Sequence, residues 1–183
     1  GDDGRIIANA PSFGWTDVAL ADILGEVLDR HSARPATIRL VNDLSALLWG
    51  EFQAGAAREH PNTLAVYVGT GVGGAILDAG ELVDGAGGKA GEIGHVKVAP
   101  GGRLCGCGQR GCVEAYAGGA HLERQVAHVV DEHGLDGIVV DDSVDLGAAE
   151  AQLYEVDALD DIWERATDYL AVSIANAVTL LNP

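Results

Sequence analysis

The chain has 183 residues, of which 48% are hydrophobic and 21% charged, a balance that suits one ordinary soluble domain or two small lobes. Its formal net charge is −17, from 11 basic and 28 acidic residues, which excludes the clustered Lys and Arg that nucleic acid or an anionic membrane surface needs. No apolar run approaches the roughly 18 residues of a membrane span, no signal-peptide pattern stands at the start, and a cytoplasmic protein is expected.

Arg5 to Asn9 reads as a short strand leading into Pro11. Thr16 and Asp17 are positioned to cap a helix, and Leu20, Ile23, Leu24, Val27 and Leu28 then recur at helical spacing. Thr37 to Val41 reads as a buried strand. A second helix follows Asn42 and Asp43, with Leu44, Leu47, Leu48 and Phe52 on one side. Residues 63–69 and 72–78 are β-rich runs joined at Gly69-Thr70-Gly71, a hairpin pattern. Val96-Lys97-Val98 reads as a strand and 101–112 as a loop. Helical pattern resumes near Val113 and runs with interruptions to about His133. Segment 134–156 is acidic and shows no clear element. A last helix over about 157–181 places Leu159, Trp163, Ala166, Leu170, Ile174, Ala177 and Leu181 on one face, and Asn182-Pro183 would end it. Mixed strands and helices with one prominent hairpin indicate an α/β fold with a partly antiparallel sheet.

All three cysteines fall within eight positions, Cys105, Cys107 and Cys112. An odd, clustered count is a poor disulfide framework and a good metal site. Zinc takes four tetrahedral ligands from Cys and His. His95 is the nearest upstream histidine, and His121 competes from within a predicted helix. The alternatives are a disulfide within the cluster or three unconnected buried cysteines. Four protein ligands would close the ion, making it structural rather than catalytic.

Gly69-Thr70-Gly71-Val72-Gly73-Gly74 matches G-x-G-x-x-G, yet a dinucleotide fingerprint must open a helix. Here the chain continues as a strand, and no Gly-Lys-Ser/Thr follows for a Walker loop. What remains is a turn with exposed N–H groups and the Thr70 hydroxyl, either a phosphate-cradling nest or simply a hairpin turn. Asp43, between strand and helix, is either an N-cap or a base whose ionised form the helix dipole favours.

These pieces in this order resemble the ROK family. The resemblance rests on Val41-Asn42-Asp43, Val68 to Gly74, Gly91-Glu92-Ile93-Gly94-His95, and Cys105 through Cys112 to Glu114, with Ala10 to Trp15 as a lead-in. That family holds bacterial glucokinases, fructokinases, N-acetylhexosamine kinases and sugar-responsive repressors. The resemblance implies an actin-like, ribonuclease H-like fold of two lobes, with residues 1–60 ending the first and 61–183 forming the second. It implies ATP with Mg2+ as co-substrate, a hexose or N-acetylhexosamine as acceptor, a structural Zn2+ on His95, Cys105, Cys107 and Cys112, and a homodimer. Asp43 would be the catalytic base. Asn42, Glu92, His95 and Glu114 would hold the sugar, and Gly69, Thr70 and Gly71 would line the ATP phosphates.

The pattern departs from the family in three places. Its Asp-x-Gly-Gly-Thr phosphate loop is not matched by Gly1-Asp2-Asp3-Gly4. Its glycine-rich adenosine segment would follow a helix like 170–181, where this chain reaches Pro183. Leu44-Ser45-Ala46 stands where Ala-Asn-Ala is common, which bears on the sugar pocket. Both lobes are therefore expected to be incomplete, and the chain alone inactive as a kinase. A sugar-sensing repressor with an upstream DNA-binding domain, and a zinc-stabilised sugar-binding module, are the competing readings.

Overall fold

A computed structural model describes residues 6–10, 13–31, 38–140, 143–152 and 156–183. The chain opens with an antiparallel ribbon of β1 (Ile7–Ala10) and β2 (Trp15–Val18), in the register Ile7↔Val18 and Ala10↔Trp15. Thr16 and Asp17 therefore lie in a strand and do not cap the next helix. Trp15, Thr16 and Val18 are strand formers with a partner within reach, and pairing overrides the capping signal. Arg5, Pro11 and the motif Gly1-Asp2-Asp3-Gly4 lie outside the described residues. Helix α1 (Leu20–His31) has Asp22 in its first turn and Arg30 and His31 in its last, charges that suit the helix dipole. Its apolar face is exposed: Ile23 is 51% accessible and Val27 41%.

Residues 38–42 form no strand. A strand needs a neighbour for its N–H and C=O groups, and among the described residues no strand pairs with the backbone of this segment. The side chain of Arg39 pairs instead with Asp84. Helix α2 (Asp43–Ala54) follows, and its Leu48 shares a core with Ala57, Ala75 and Leu77.

The central sheet is antiparallel, in the order β3 (Thr63–Val68), β4 (Val72–Asp78), β5 (Glu81–Leu82). The hairpin expectation holds, with Thr63↔Leu77 and Val68↔Val72 closing its two ends. A 3-10 turn at Ile93–His95 packs on β4. The expected strand at 96–98 is reduced to one isolated bridge, Lys97↔Cys112, because its partner is an irregular loop rather than an extended segment.

Helix α3 (Glu114–Ala117) and helix α4 (Gly119–His133) are separated at Gly118, whose ψ of 136° is extended. Gly134 ends α4 in the left-handed region at φ 64°, its N–H bonding to Val130 O, as a glycine cap does. The acidic segment 134–156 is structured in part. It supplies β6 (Val139–Val140), β7 (Ser143–Val144) and α5 (Leu146–Glu150), which is capped by the Asp145 carboxylate on Ala148 N at 3.0 Å. Its Ile138 and Ala149 complete a core with Val126, Val129, Leu159 and Ile162.

Helix α6 (Asp157–Leu181) buries Leu159, Ile162, Ala166 and Ser173 against α3, α4 and the 3-10 turn. Toward its end the expected apolar face is open, with Leu181 43% accessible. Asn182 stops the helix at φ 46°, as expected for Asn182-Pro183. Among the described residues no helix is long and apolar enough to cross a membrane.

Candidate active site

The cysteine loop is shaped by a narrow pairing of Leu104 with Arg110. Cys105 N donates to Gln109 O at 2.8 Å and Gly108 N to Cys105 O at 3.0 Å. Gly108 turns the tip at φ 81°, a conformation that favours glycine. Val98 N and Ala99 N both donate to Gly111 O, at 2.9 and 3.2 Å, which brings the returning arm beside His95. Tyr116 braces the loop from below. Its hydroxyl accepts from Arg103 N at 2.9 Å, and its ring meets Tyr169 of α6 edge-on at 4.7 Å.

One ligand atom from each of His95, Cys105, Cys107 and Cys112 lies within 4.8 Å of the others. Cys107 Sγ is 3.6 Å from Cys112 Sγ, and Cys105 Sγ is 3.7 Å from His95 Nδ1. A tetrahedral zinc with ordinary bond lengths has edges of about 3.8 Å between sulfurs and about 3.6 Å between sulfur and nitrogen, so the donor set fits that ion in type, number and spacing. All three cysteines are free thiols in this structure, and the Cys107–Cys112 separation is well beyond the about 2.05 Å of bonded sulfurs. Nor are the cysteines three unconnected buried thiols: Cys105 and Cys112 are buried, Cys107 is exposed, and their sulfurs converge. His121 stands outside this set on α4. It groups with Cys105 and Glu114, and its Nδ1 accepts from Arg124 at 2.9 Å.

Burial pushes the Cys105 thiol up to about 12, while the Gln109 backbone N–H holds the Cys107 thiol below its usual value. Lys97 is raised, chiefly by its hydrogen bond to Cys112.

Four motifs come together at the first residues of β4, one of them the glycine turn that leads into the strand. Glu114 Oε2 accepts from Val72 N at 3.1 Å, and Glu114 Oε1 faces Cys105 Sγ at 3.3 Å, so one carboxylate spans the cysteine loop and the glycine turn. The α3–α4 joint holds the turn from the same side, with Gly119 N donating to Gly69 O at 2.8 Å and Ala120 N to Thr70 O at 2.9 Å. Its carbonyls thus engage a helix N-terminus, whose N–H groups need acceptors. Among the described residues, the N–H groups of Thr70 and Gly71 make no hydrogen bond.

The third and fourth motifs come from α2 and from Gly91–His95. The Leu44 side chain covers Gly73, where a Cβ would collide with it. Gly91 O and Ile93 lie over Gly74, 2.9 and 3.1 Å from where its Cβ would be. Gly73 and Gly74 are therefore close-approach positions, a role that the doubled glycine signalled but the phosphate-loop reading did not assign. A Cβ on Gly94 would overlap the Val72 carbonyl. Gly94→Ala is expected to destabilise the protein by about 1–3 kcal/mol through overpacking against backbone. Gly69→Ala, where nothing lies within 4 Å, is expected to stay within about 0.5 kcal/mol. Urea unfolding of the two variants checks the contrast.

Asn42, not Asp43, is the helix cap: its Oδ1 accepts from Leu44 N at 2.9 Å. Among the described residues its amide nitrogen makes no hydrogen bond. Asp43 is the first helical residue and exposed, with Oδ1 also 2.9 Å from Leu44 N. Asp43 is brought to β4 through Leu44, and among the described residues its carboxylate makes no hydrogen bond to another site side chain. Glu92 is exposed at the start of the 3-10 turn, with no side-chain capping bond. It is tied to His95 through that turn, His95 N donating to Glu92 O at 3.0 Å.

Residues 2–183 match the sequence pattern of the ROK family. A glucokinase of Halalkalibacterium halodurans is 34% identical over 187 residues, covering 99% of this chain and 55% of that protein. An N-acetylmannosamine kinase of Vibrio cholerae is 42% identical over 104 residues, covering 56% of this chain and 34% of that protein. The structure of a Streptomyces griseus ROK glucokinase in complex with glucose and AMPPNP superposes with a TM-score of 0.72 at 27% identity, covering 100% of this chain and 59% of that one. The chain thus spans about half the length of the glucokinase it matches along its whole extent. Both the motifs and the architecture place it: the chain belongs to the ROK family and has that family's actin-like fold.

Proposed function

We propose that the full-length protein transfers the γ-phosphoryl group of ATP to a hydroxyl of a hexose or N-acetylhexosamine. The observation that carries this reading is the meeting of four motifs on Val72–Gly74. It sets an acid-bearing helix start, a histidine turn, a carboxylate and an open-N–H turn around one short piece of strand.

In this reading Asp43 takes the proton of the attacking hydroxyl as its oxygen bonds to phosphorus and ADP departs. Asn42, Glu92, His95 and Glu114 hold the sugar, where carboxylates are strong acceptors for hydroxyl donors. Gly69, Thr70 and Gly71 receive the phosphates with Mg2+, since phosphoryl transfer is mostly positioning and charge stabilisation. Zinc on His95, Cys105, Cys107 and Cys112 would supply a closed structural anchor. With His95 Nδ1 on the sulfur side, Nε2–H is the nitrogen left to meet a sugar oxygen.

Residues 1–60 would end one lobe and 61–183 build the other, with ATP between them, in a cytoplasmic homodimer. The relatives are a glucokinase and an N-acetylmannosamine kinase, which supports both acceptor classes. The test is an ADP-release assay on the full-length protein with glucose, fructose, mannose, N-acetylglucosamine and N-acetylmannosamine. Turnover with at least one sugar is expected. Sugar binding without turnover on any of them would favour the sugar-sensing repressor reading over the kinase.

A further inference from the structure

The chain has only two lysines, Lys89 and Lys97, and one of them lies on the cysteine cluster. Lys97 pairs with Cys112 across the isolated bridge. Its side chain then folds back, with Nζ 2.9 Å from Cys112 Sγ and 2.9 Å from His95 O. Two members of the four-residue donor set are thus joined by one ammonium, one through its sulfur and the other through its backbone carbonyl. Among the described residues no other cationic side chain hydrogen-bonds to a cysteine sulfur. Arg110, on the loop itself, donates to Gly102 O at 3.1 Å.

We infer that Lys97 is a positioning residue of the metal centre, balancing its charge and latching His95 to Cys112. The inference rests on the zinc reading above. Three thiolates around a dication leave a net charge of about −1, in a chain whose net charge is already −17. An N–H···S bond from an ammonium withdraws charge from the Cys112 thiolate and lowers its attraction for protons and electrophiles, the species that take a thiolate from its metal. Outer partners of this kind commonly govern metal affinity by about 10–100-fold. The His95 carbonyl bond adds a mechanical effect: the backbone of the histidine cannot drift from the loop without breaking the Lys97 contact. Cys112 is fully buried while Lys97 is exposed, so the lysine roofs the sulfur against solvent from outside and its removal leaves no cavity in the core.

The experiment uses the full-length protein loaded with zinc and, in parallel, with Co2+. Zinc release to an excess chromogenic chelator is timed for wild type, Lys97→Ala, Lys97→Arg and Lys89→Ala. Lys97→Ala is expected to release zinc about tenfold faster or more, Lys97→Arg to recover most of the wild-type rate, and Lys89→Ala to match wild type. The thiolate-to-cobalt absorption band is expected to move to longer wavelength in Lys97→Ala alone, because a more electron-rich sulfur gives up charge more easily. A purely structural role would leave that band in place. An unchanged release rate and band in Lys97→Ala would overturn the inference, as would equal effects from Lys89→Ala. A wild-type protein that takes up no metal would overturn the zinc reading and this inference together. Metal uptake with no Lys97 effect would overturn this inference alone.

Discussion

Asp43→Ala in the full-length protein is expected to lower kcat by roughly two to four orders of magnitude, the usual worth of a positioned general base. Sugar affinity is expected to change by only a few fold. The separation follows from how the helix start is built. The Asn42 side chain supplies the cap on Leu44 N, so α2 keeps its N-terminal bond when Asp43 is shortened. Asp43 is exposed, and the only hydrogen bond of its side chain among the described residues is the one Oδ1 accepts from that same N–H. Its removal therefore takes away a proton acceptor and little else. Stability is expected to fall by no more than about 0.5 kcal/mol, the ordinary range for a surface change. Steady-state kinetics and calorimetric sugar titration on the same preparation decide the matter. A kcat within tenfold of wild type would remove Asp43 as the base.

Cys107→Ser is expected to lose zinc and sugar affinity together. Cys107 is the exposed member of the trio, so serine there costs almost no packing and the effect isolates ligation. A serine hydroxyl is a poor zinc ligand, and three remaining donors would leave an open, weaker site. The consequence for sugar runs through Cys105 and His95. Cys105 Sγ stands 3.3 Å from Glu114 Oε1 and 3.7 Å from His95 Nδ1, so a loosened cysteine loop frees both proposed sugar contacts. A fall in sugar affinity of about tenfold or more is expected. Metal content by mass spectrometry and sugar binding by calorimetry, measured side by side, test the link. Retained sugar affinity in a zinc-free variant would show that loop and pocket are mechanically independent.

Glu114 bears on both results. Through Val72 N it touches the glycine turn, and through Cys105 it touches the cysteine loop. A perturbation at the loop therefore has a short covalent and hydrogen-bonded route to the place where phosphates are proposed to sit.

Much of the local structure was legible because its causes are local. The helical spacing of α1, α2, α4 and α6 and the β3–β4 hairpin all depend on neighbours within a few residues. The failures share one cause. Residues 38–41 are apolar enough for a strand, and Lys97 is flanked by two valines, yet neither becomes one. Strand formation depends on a partner that the segment itself does not encode. Thr16 and Asp17 failed in the opposite sense, drawn into β2 by β1 despite their capping chemistry.

The sequence by itself determined the donor types, their spacing and the order of motifs, and those were enough to place the chain in its family and to nominate the residues proposed to hold metal, sugar and phosphate. It also put three cysteines within eight positions of a glycine-rich loop, a spacing that suits a metal site; that their sulfurs converge is a property of the folded loop. Only the tertiary structure decided what the glycines beside the turn are for. Gly73 and Gly74 admit Leu44 and the Gly91–Ile93 segment, and Gly94 admits the Val72 carbonyl. Close approach between segments distant in sequence depends on the absence of a Cβ at a contact, and that contact exists only once the chain has folded. The same holds for Lys97, whose reach to Cys112 and His95 depends on an irregular loop returning beside an irregular turn.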